Sequence, residues 1–383
     1  MGFQTVWSMG RLSVQNFLWD KFFCREFIEN LLVFFFAGKD MPESCRRAKR
    51  RGNTRRKANA KHFLKCLPPT CRRAKRRGNT KKEEKMGMEI CLKDVNKSYG
   101  PKHALKDISL RIPQGMFGLL GRNGAGKTTL MKVLATLLQA DSGEISVCST
   151  PVKNTAKIRE MTGYLPQDFS MYGNMGAYEA MDYLGVLSGL TKAERKERIP
   201  VLLERVNLQN NYRTKVKAMS GGMRRRLGIA QAILHDPKVL IVDEPTAGLD
   251  PEERVRFRNL LCETAEERIV ILSTHIVGDI EATCENIAIM DAGEIIYKGT
   301  VAELLSFADG NVYTVDISRM ELEKVKHEYL VTGMLTQGNH VTVRFLLREE
   351  TQKLFEGAAP CEVSVEDAYM YLMYRKRGDA SCF

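Results

Sequence analysis

The sequence lacks any apolar run long enough to cross a bilayer. The longest, Leu31 to Ala37, is seven residues, where a spanning helix needs about 20. A secretory leader is missing too: Asp20, Glu26 and Glu29 interrupt the apolar residues near the start, and no small-residue cleavage site follows cleanly. Regular cysteine spacing is also absent. The ten cysteines are scattered, and Cys45, Cys66 and Cys71 do not make a paired C-x-x-C zinc pattern. Reduced thiols, as in the cytosol, are the simpler reading. Finally, most of the chain has almost no net charge. The total is +13, but residues 1–87 hold 22 Lys and Arg against seven Asp and Glu, a net of +15. The remainder holds 37 against 39, or −2. The basic pI therefore says nothing about the partners of the main body.

At 383 residues, 44% of them hydrophobic, the chain can build two or three domains with a sizeable core. Its most informative stretch is Gly121-Arg122-Asn123-Gly124-Ala125-Gly126-Lys127-Thr128, which fits G-x-x-x-x-G-K-[ST], the phosphate-binding P-loop. Glycines let the backbone curl so that successive N–H groups face phosphate oxygens. Lys127 supplies positive charge to the terminal phosphates, and Thr128 offers a hydroxyl to Mg²⁺. The setting agrees. The apolar run Met116–Leu120 before it reads as a strand. After it, Leu130, Val133, Leu134, Leu137 and Leu138 keep helical spacing. The start of that helix faces the phosphates with its positive dipole end. From average composition the bare pattern should occur by chance in on the order of one chain in a hundred.

The first 87 residues look foreign to the rest. CRRAKRRGNT occurs at 45–54 and again at 71–80, which marks a duplication. Two copies without an apolar face cannot bury a core, so no solenoid is expected. A basic arm for nucleic acid or anionic lipid is one reading. Disorder, or upstream sequence joined by a misplaced start, is the favoured one, with Met86 or Met88 as the natural start.

Met88–Val95 and Ala104–Ile112 read as strands, with Tyr99 between them placed to stack on adenine. Gln167 follows Pro166 at the end of an apolar segment, where its amide can reach Mg²⁺ or position water. Residues 176–236 are helical in pattern, and Thr191 to Glu194 resembles a capping box. Within them Ser220-Gly221-Gly222 precedes a long helix, as either a second phosphate cradle or a plain N-cap. The apolar run from Lys238 to Glu244 suits a buried parallel strand, whose carboxyl end is where an open α/β sheet binds ligands. It ends in Asp243, which can hold the Mg²⁺ water shell, and Glu244, which can orient or deprotonate water. Asp250 is placed to N-cap the next helix. Ile269–Leu272 leads to His275 at the same sheet edge, where it can sense a γ-phosphate. Strands at 287–290 and 294–297 flank a hairpin turn. Further on, 311–317 and 340–346 read as strands, 319–328 and 350–356 as short helices, and Ser364 to Asp367 caps a final helix.

In this order, over residues 88–300, the set resembles the ATP-binding subunit of an ABC transporter. Tyr99 resembles its adenine-stacking aromatic, residues 121–128 its Walker A, Gln167 its Q-loop and 219–223 its signature. Asp243 and Glu244 resemble Walker B with the catalytic acid, Asp250 the D-loop and His275 the switch histidine. Met223 departs from the family, which most often has Gln there. With Arg224-Arg225-Arg226 it resembles the drug- and lipid-exporter branch that works with a separate permease. Ser220 and Gly222 are kept, so hydrolysis is expected to survive the departure.

The resemblance implies an α/β fold: a P-loop NTPase core with a small antiparallel β-subdomain, a helical signature subdomain at about 168–236, and a C-terminal α+β extension over 301–383. It implies Mg²⁺-dependent ATP hydrolysis powering export through a separate transmembrane permease, on the inner face of the cell membrane. Nucleotide contacts fall to Tyr99, Gly121, Asn123, Gly124, Ala125, Gly126, Lys127, Thr128, Thr129, Ser220, Gly221, Gly222 and Asp250. Metal contacts fall to Thr128, Gln167 and Asp243, and catalysis to Glu244, His275, Lys127 and Gln167. A head-to-tail dimer, homo- or heteromeric, is expected, with no nucleic acid. The permease is expected to dock near Phe169–Tyr178. A non-transport ABC ATPase of translation or DNA maintenance is the alternative, favoured only by the basic tail. A P-loop kinase would leave Ser220 to Gly222 and His275 unexplained.

Overall fold

The structure, a computed structural model, describes residues 88–349 and 352–377. The expectations for the basic segment 1–87 lie outside the described residues.

Strands β1 (Ile90–Tyr99) and β2 (Lys102–Ile112) pair antiparallel, with Ile90 opposite Ile112. There follow β3 (Gly115–Gly121), α1 (Lys127–Leu134), β4 (Ser142–Val147), β5 (Thr150–Pro151), α2 (Thr155–Met161) and β6 (Thr162–Leu165). A helical block comes next: α3 (Ala177–Leu187), α4 (Lys192–Arg205) and α5 (Gly221–Ala232). The chain returns through β7 (Val239–Asp243), α6 (Pro251–Ala265), β8 (Ile269–Thr274), α7 (Val277–Glu281), β9 (Asn286–Asp291) and β10 (Glu294–Thr300). It closes with α8 (Val301–Ser306), β11 (Val312–Ser318), α9 (Leu322–Glu328), β12 (Leu330–Gln337), β13 (His340–Leu346), β14 (Ala359–Pro360) and α10 (Val365–Arg377).

The central sheet runs β10-β9-β3-β8-β7-β6, parallel except for β10. Strand β7 shows why it is central. Its five residues are all buried. Val239 and Ile241 enter one core, with β1, β2, β4 and α1, while Leu240 and Val242 enter the other, with the helical block. A strand covered on both faces must be apolar throughout. Register then sets the site. Leu120 pairs with Thr274, and Asp243 with Ser273, so the P-loop, the acid pair and His275 leave the sheet at one edge.

Helix α1 ends one turn earlier than its apolar spacing predicts. Thr136 takes φ 58°, its N–H bonds Val133 O at 3.0 Å, and Leu137 N bonds Lys132 O at 2.8 Å. This pair of bonds around a left-handed residue stops a helix. Leu137 and Leu138 still pack on the core, so the apolar pattern continued past the helix. The capping box at Thr191 and Glu194 forms as read.

The C-terminal sheet, ordered β12-β13-β11-β14, carries its own small core around Phe345. Strand β12 was not foreseen in the sequence. The short helix expected over 350–356 is not formed by the described residues 352–356. Gln352 instead accepts from Arg348 N at 2.8 Å and donates to Glu328 O at 2.7 Å, so side-chain bonds replace helical ones. Helix α10 leaves this sheet and packs on α7 and α8. Val365, Ala368 and Tyr371 there are buried in the same cluster as Leu272 and Ile289.

The start of α10 is a local test of stability. Asp367 accepts from Ser364 N at 2.9 Å and Ser364 Oγ at 2.6 Å, and its own N–H bonds Ser364 Oγ at 3.2 Å. It also takes Arg344 Nη2 at 2.6 Å. Burial alone would raise the Asp367 carboxyl, but bonds from Arg344, Ser364 and Thr332 outweigh it and hold it below the usual carboxylate range. Asp367→Ala removes the carboxylate that braces the Ser364 cap and leaves the half-buried Arg344 guanidinium with the Glu362 carbonyl but no carboxylate. We expect a loss of about 2–3 kcal/mol, read by denaturant unfolding. A depressed folded pKa means the contribution is complete above the unfolded value of about 3.9 and fades as pH falls below it. The gap between variant and parent should therefore shrink on acidification; an equal gap at pH 3 and pH 7 argues against the pair.

Candidate functional site

The loop between β3 and α1 is shaped by glycine where nothing else fits. Gly126 has φ 106°, and a Cβ there would collide with Ala104 O. Gly121 would press a Cβ into Met290 O. Lys127, only 4% exposed, folds back over the loop that it closes. Its ammonium donates to Gly121 O at 2.7 Å and Arg122 O at 3.2 Å, and lies 3.3 Å from Glu244 Oε1.

Glu244 sits in a left-handed backbone conformation, φ 47°, which is uncommon for a residue with a side chain. Its N–H bonds Ser273 O at 2.9 Å. Its carbonyl accepts from Arg225 Nη1 at 2.8 Å. Its other carboxylate oxygen lies 3.0 Å from His275 Nδ1. The single turn after β7 therefore aims a carboxylate between Lys127 and His275.

Asp243 is fully buried, and neither of its oxygens has a hydrogen bond. Burial pushes its carboxyl above the ordinary range. The hydroxyls of Thr128 and Ser273 are near enough to oppose that shift without meeting hydrogen-bond geometry. Two orphaned carboxylate oxygens beside a threonine hydroxyl are an unfinished coordination shell. The neighbouring donors are all oxygen, which suits Mg²⁺. The residues present therefore fit that ion.

A cleft of about 580 Å³ brings together Tyr99, Asn123, Gly124, Gly126, Lys127, Thr128, Thr129, Gln167 and Glu244. Tyr99 is exposed at its mouth, with the Lys97 ammonium 6.0 Å from the ring centre. Sequence reasoning missed Lys102, His103, Ala104, Ala292 and Gly293, which also line it. The hairpin turns hinted at the last two; nothing in the residue types marked the first three. Of the expected contacts, Gly121, Ala125 and Asp243 do not line this cleft, and four more stand apart from it. Ser220, Gly221, Gly222 and Asp250 are not among the lining residues. Ser220 Oγ caps α5 by accepting Met223 N at 3.2 Å, and Asp250 caps α6 by accepting Glu253 N at 2.9 Å. The two caps are linked, since Arg226 pairs with Glu253 at 3.0 Å. Gly121 and His275 border a second hollow of about 370 Å³, walled on its far side by α10.

A P-loop at the carboxyl edge of a parallel sheet, with an acid pair ending the neighbouring strand, defines a P-loop nucleoside triphosphatase. Comparison with known proteins narrows this. The family described as ABC transporter matches residues 105–247. The linearmycin resistance ATP-binding protein of Bacillus subtilis is 36% identical over 262 residues, spanning 66% of this chain and 82% of that one. A Nod factor export ATP-binding protein of Cupriavidus metallidurans is 34% identical over 264 residues, spanning 67% and 86%. Among solved structures, cbiO1 of Clostridium perfringens, part of an ABC transporter complex, aligns with a TM-score of 0.53 at 29% identity, over 63% of this chain and 96% of its own. The chain belongs to the ABC transporter family, as one of its ATP-binding subunits. It is an ATPase that uses ATP with Mg²⁺. Subunits of this kind pair with one another and work with transmembrane partners. No helix among the described residues is long and apolar enough to cross a membrane.

Proposed function

We propose that this subunit powers export through a separate transmembrane permease, from the inner face of the membrane, as a head-to-tail pair. One observation carries the reading: Ser220 to Gly222 open α5 outside the cleft that holds their own chain's P-loop. A phosphate cradle that cannot serve its own site suits a partner's site. Asp250, capping α6 beside it, belongs to the same surface. Relatives named for linearmycin resistance and Nod factor export support the outward direction.

In this reading Tyr99 stacks on adenine, and the amides of residues 121–129 bind the phosphates. Lys127 exchanges its two carbonyl partners for phosphate oxygens and stabilises charge developing there. Thr128, Asp243 and Gln167 hold Mg²⁺, which when bound neutralises phosphate charge. Glu244 takes the proton of the attacking water, and His275 holds the γ-phosphate. The Phe169 ring lies against Gly228 of α5, and the segment 169–178 that it opens is where the permease would dock.

The test is purification of the tagged full chain from gently solubilised membranes. A polytopic membrane protein should co-purify in stoichiometric amount, and ATPase activity should rise in its presence. A chain recovered instead with RNA or DNA, released by salt, favours the alternative of translation or DNA maintenance.

A further inference from the structure

Three consecutive arginines follow the signature glycines, and they have three different partners. Arg224 donates to Met219 O at 2.9 Å, inside its own turn. Arg226 donates to Val206 O and Asn207 O, both at 3.1 Å, and pairs with Glu253. These two fix α5 to its surroundings. Arg225 alone reaches the acid pair, donating to the carbonyl of Glu244 at 2.8 Å. The guanidinium is half-buried. Burial lowers its pKa, while the charges of Asp168 and Glu244 oppose the shift.

That bond meets the backbone at an unusual place. Glu244 holds φ 47° without being glycine, so its neighbours must keep it there. On one side Ser273 O accepts its N–H; on the other Arg225 clamps its carbonyl. One turn further along α5, Gly228 lies under Phe169. Positions i and i+3 share a helix face, so the face that clamps Glu244 also carries the segment after Gln167.

We propose that Arg225 is a positioning residue for hydrolysis: it holds the left-handed turn that aims the Glu244 carboxylate and ties that carboxylate to the signature helix. The proposal rests on Glu244 being the base that activates water. It makes each subunit's own base responsive to α5, whose first residues are offered to the partner's nucleotide. It also gives a physical route from the segment at Phe169 to the reacting end of ATP.

The experiment uses the full chain, with kcat expressed per ATP bound at saturation so that misfolded protein does not count. Arg225→Met keeps most of the stem and removes the donor. We expect kcat to fall about 10- to 100-fold, the scale of one lost charge-assisted hydrogen bond, with KM within twofold. Arg225→Lys keeps charge and donor and should land between the two. Glu244→Gln is measured alongside. If it is inactive while Arg225→Met keeps kcat within twofold, the positioning role is overturned and the base assignment stands. If Glu244→Gln itself keeps turning over, both fall. Equal loss in Arg225→Met and Arg225→Lys, with KM moving as much as kcat, also overturns the proposal, because packing then explains the effect.

Discussion

Glu244→Gln is expected to lower ATP turnover by about 10³-fold or more while leaving ATP bound as tightly as before. General-base catalysis contributes about 10²- to 10⁴-fold, and an amide cannot take the water's proton. The substitution is nearly isosteric in a 7% exposed position. The backbone bonds to Ser273 O and from Arg225 do not involve the changed atoms. The amide can still meet His275 across the 3.0 Å gap that the carboxylate spans. What changes is Lys127. Its ammonium loses a carboxylate 3.3 Å away and becomes freer to serve phosphate. Binding should therefore hold or tighten as cleavage stops. In a head-to-tail pair this predicts a long-lived ATP-bound dimer, visible by size exclusion with Mg-ATP and absent with ADP. A kcat within tenfold of the parent would remove Glu244 from the role of base. Normal loss of turnover without any ATP-dependent dimer would spare the base and count against the shared site.

Some of this was legible because single residue types have few alternatives. The apolar run ending in Asp243 and Glu244 can only be a covered strand, and its β7 position follows. Glycines at 121, 124 and 126 with Lys127 leave little choice of loop. The sheet edge that gathers Lys127, Asp243 and Glu244 was therefore foreseeable. Other features depend on bonds between distant parts of the chain. Thr136 ends α1 with a left-handed turn, and threonine carries no sign of that. Arg225 reads as one cation in a run of three until its partner 19 residues away is known. Strand β12 pairs along β13, yet Gly333 and its mixed neighbours give it no clean alternation. The second wall of the cleft, at Lys102 to Ala104 and Ala292 to Gly293, exists only because two hairpins meet there; Lys106 N bonds Gly293 O at 2.8 Å. The sequence brought these residues to one sheet edge, while the bonds that support them needed the fold.

The second large effect is expected at Lys127. Lys127→Met should weaken ATP binding by about 100-fold and abolish ATP-dependent pairing. At an effective dielectric constant of about 20, a charge about 3 Å from a phosphate oxygen is worth about 5 kcal/mol. Part of that is offset, because the ammonium must leave Gly121 O, Arg122 O and Glu244. A net of about 3 kcal/mol corresponds to the 100-fold figure. The variant has a second consequence that binding alone does not reveal. Without the ammonium, the buried Glu244 carboxylate keeps His275 as its one close side-chain contact, with the Arg225 charge nearby, and two loop carbonyls lose a donor. Leaving such groups unpaired costs about 1–3 kcal/mol, so nucleotide-free Lys127→Met should also unfold at lower denaturant. The double variant Lys127→Met/Glu244→Gln separates the two effects. Removing the carboxylate charge should restore part of the lost stability, since Glu244 then no longer places an unmatched charge beside the missing ammonium. ATP affinity should stay low, because the missing phosphate contact is still missing. If stability and affinity recover together, Lys127 serves mainly to neutralise Glu244, and its assignment to the phosphates is wrong.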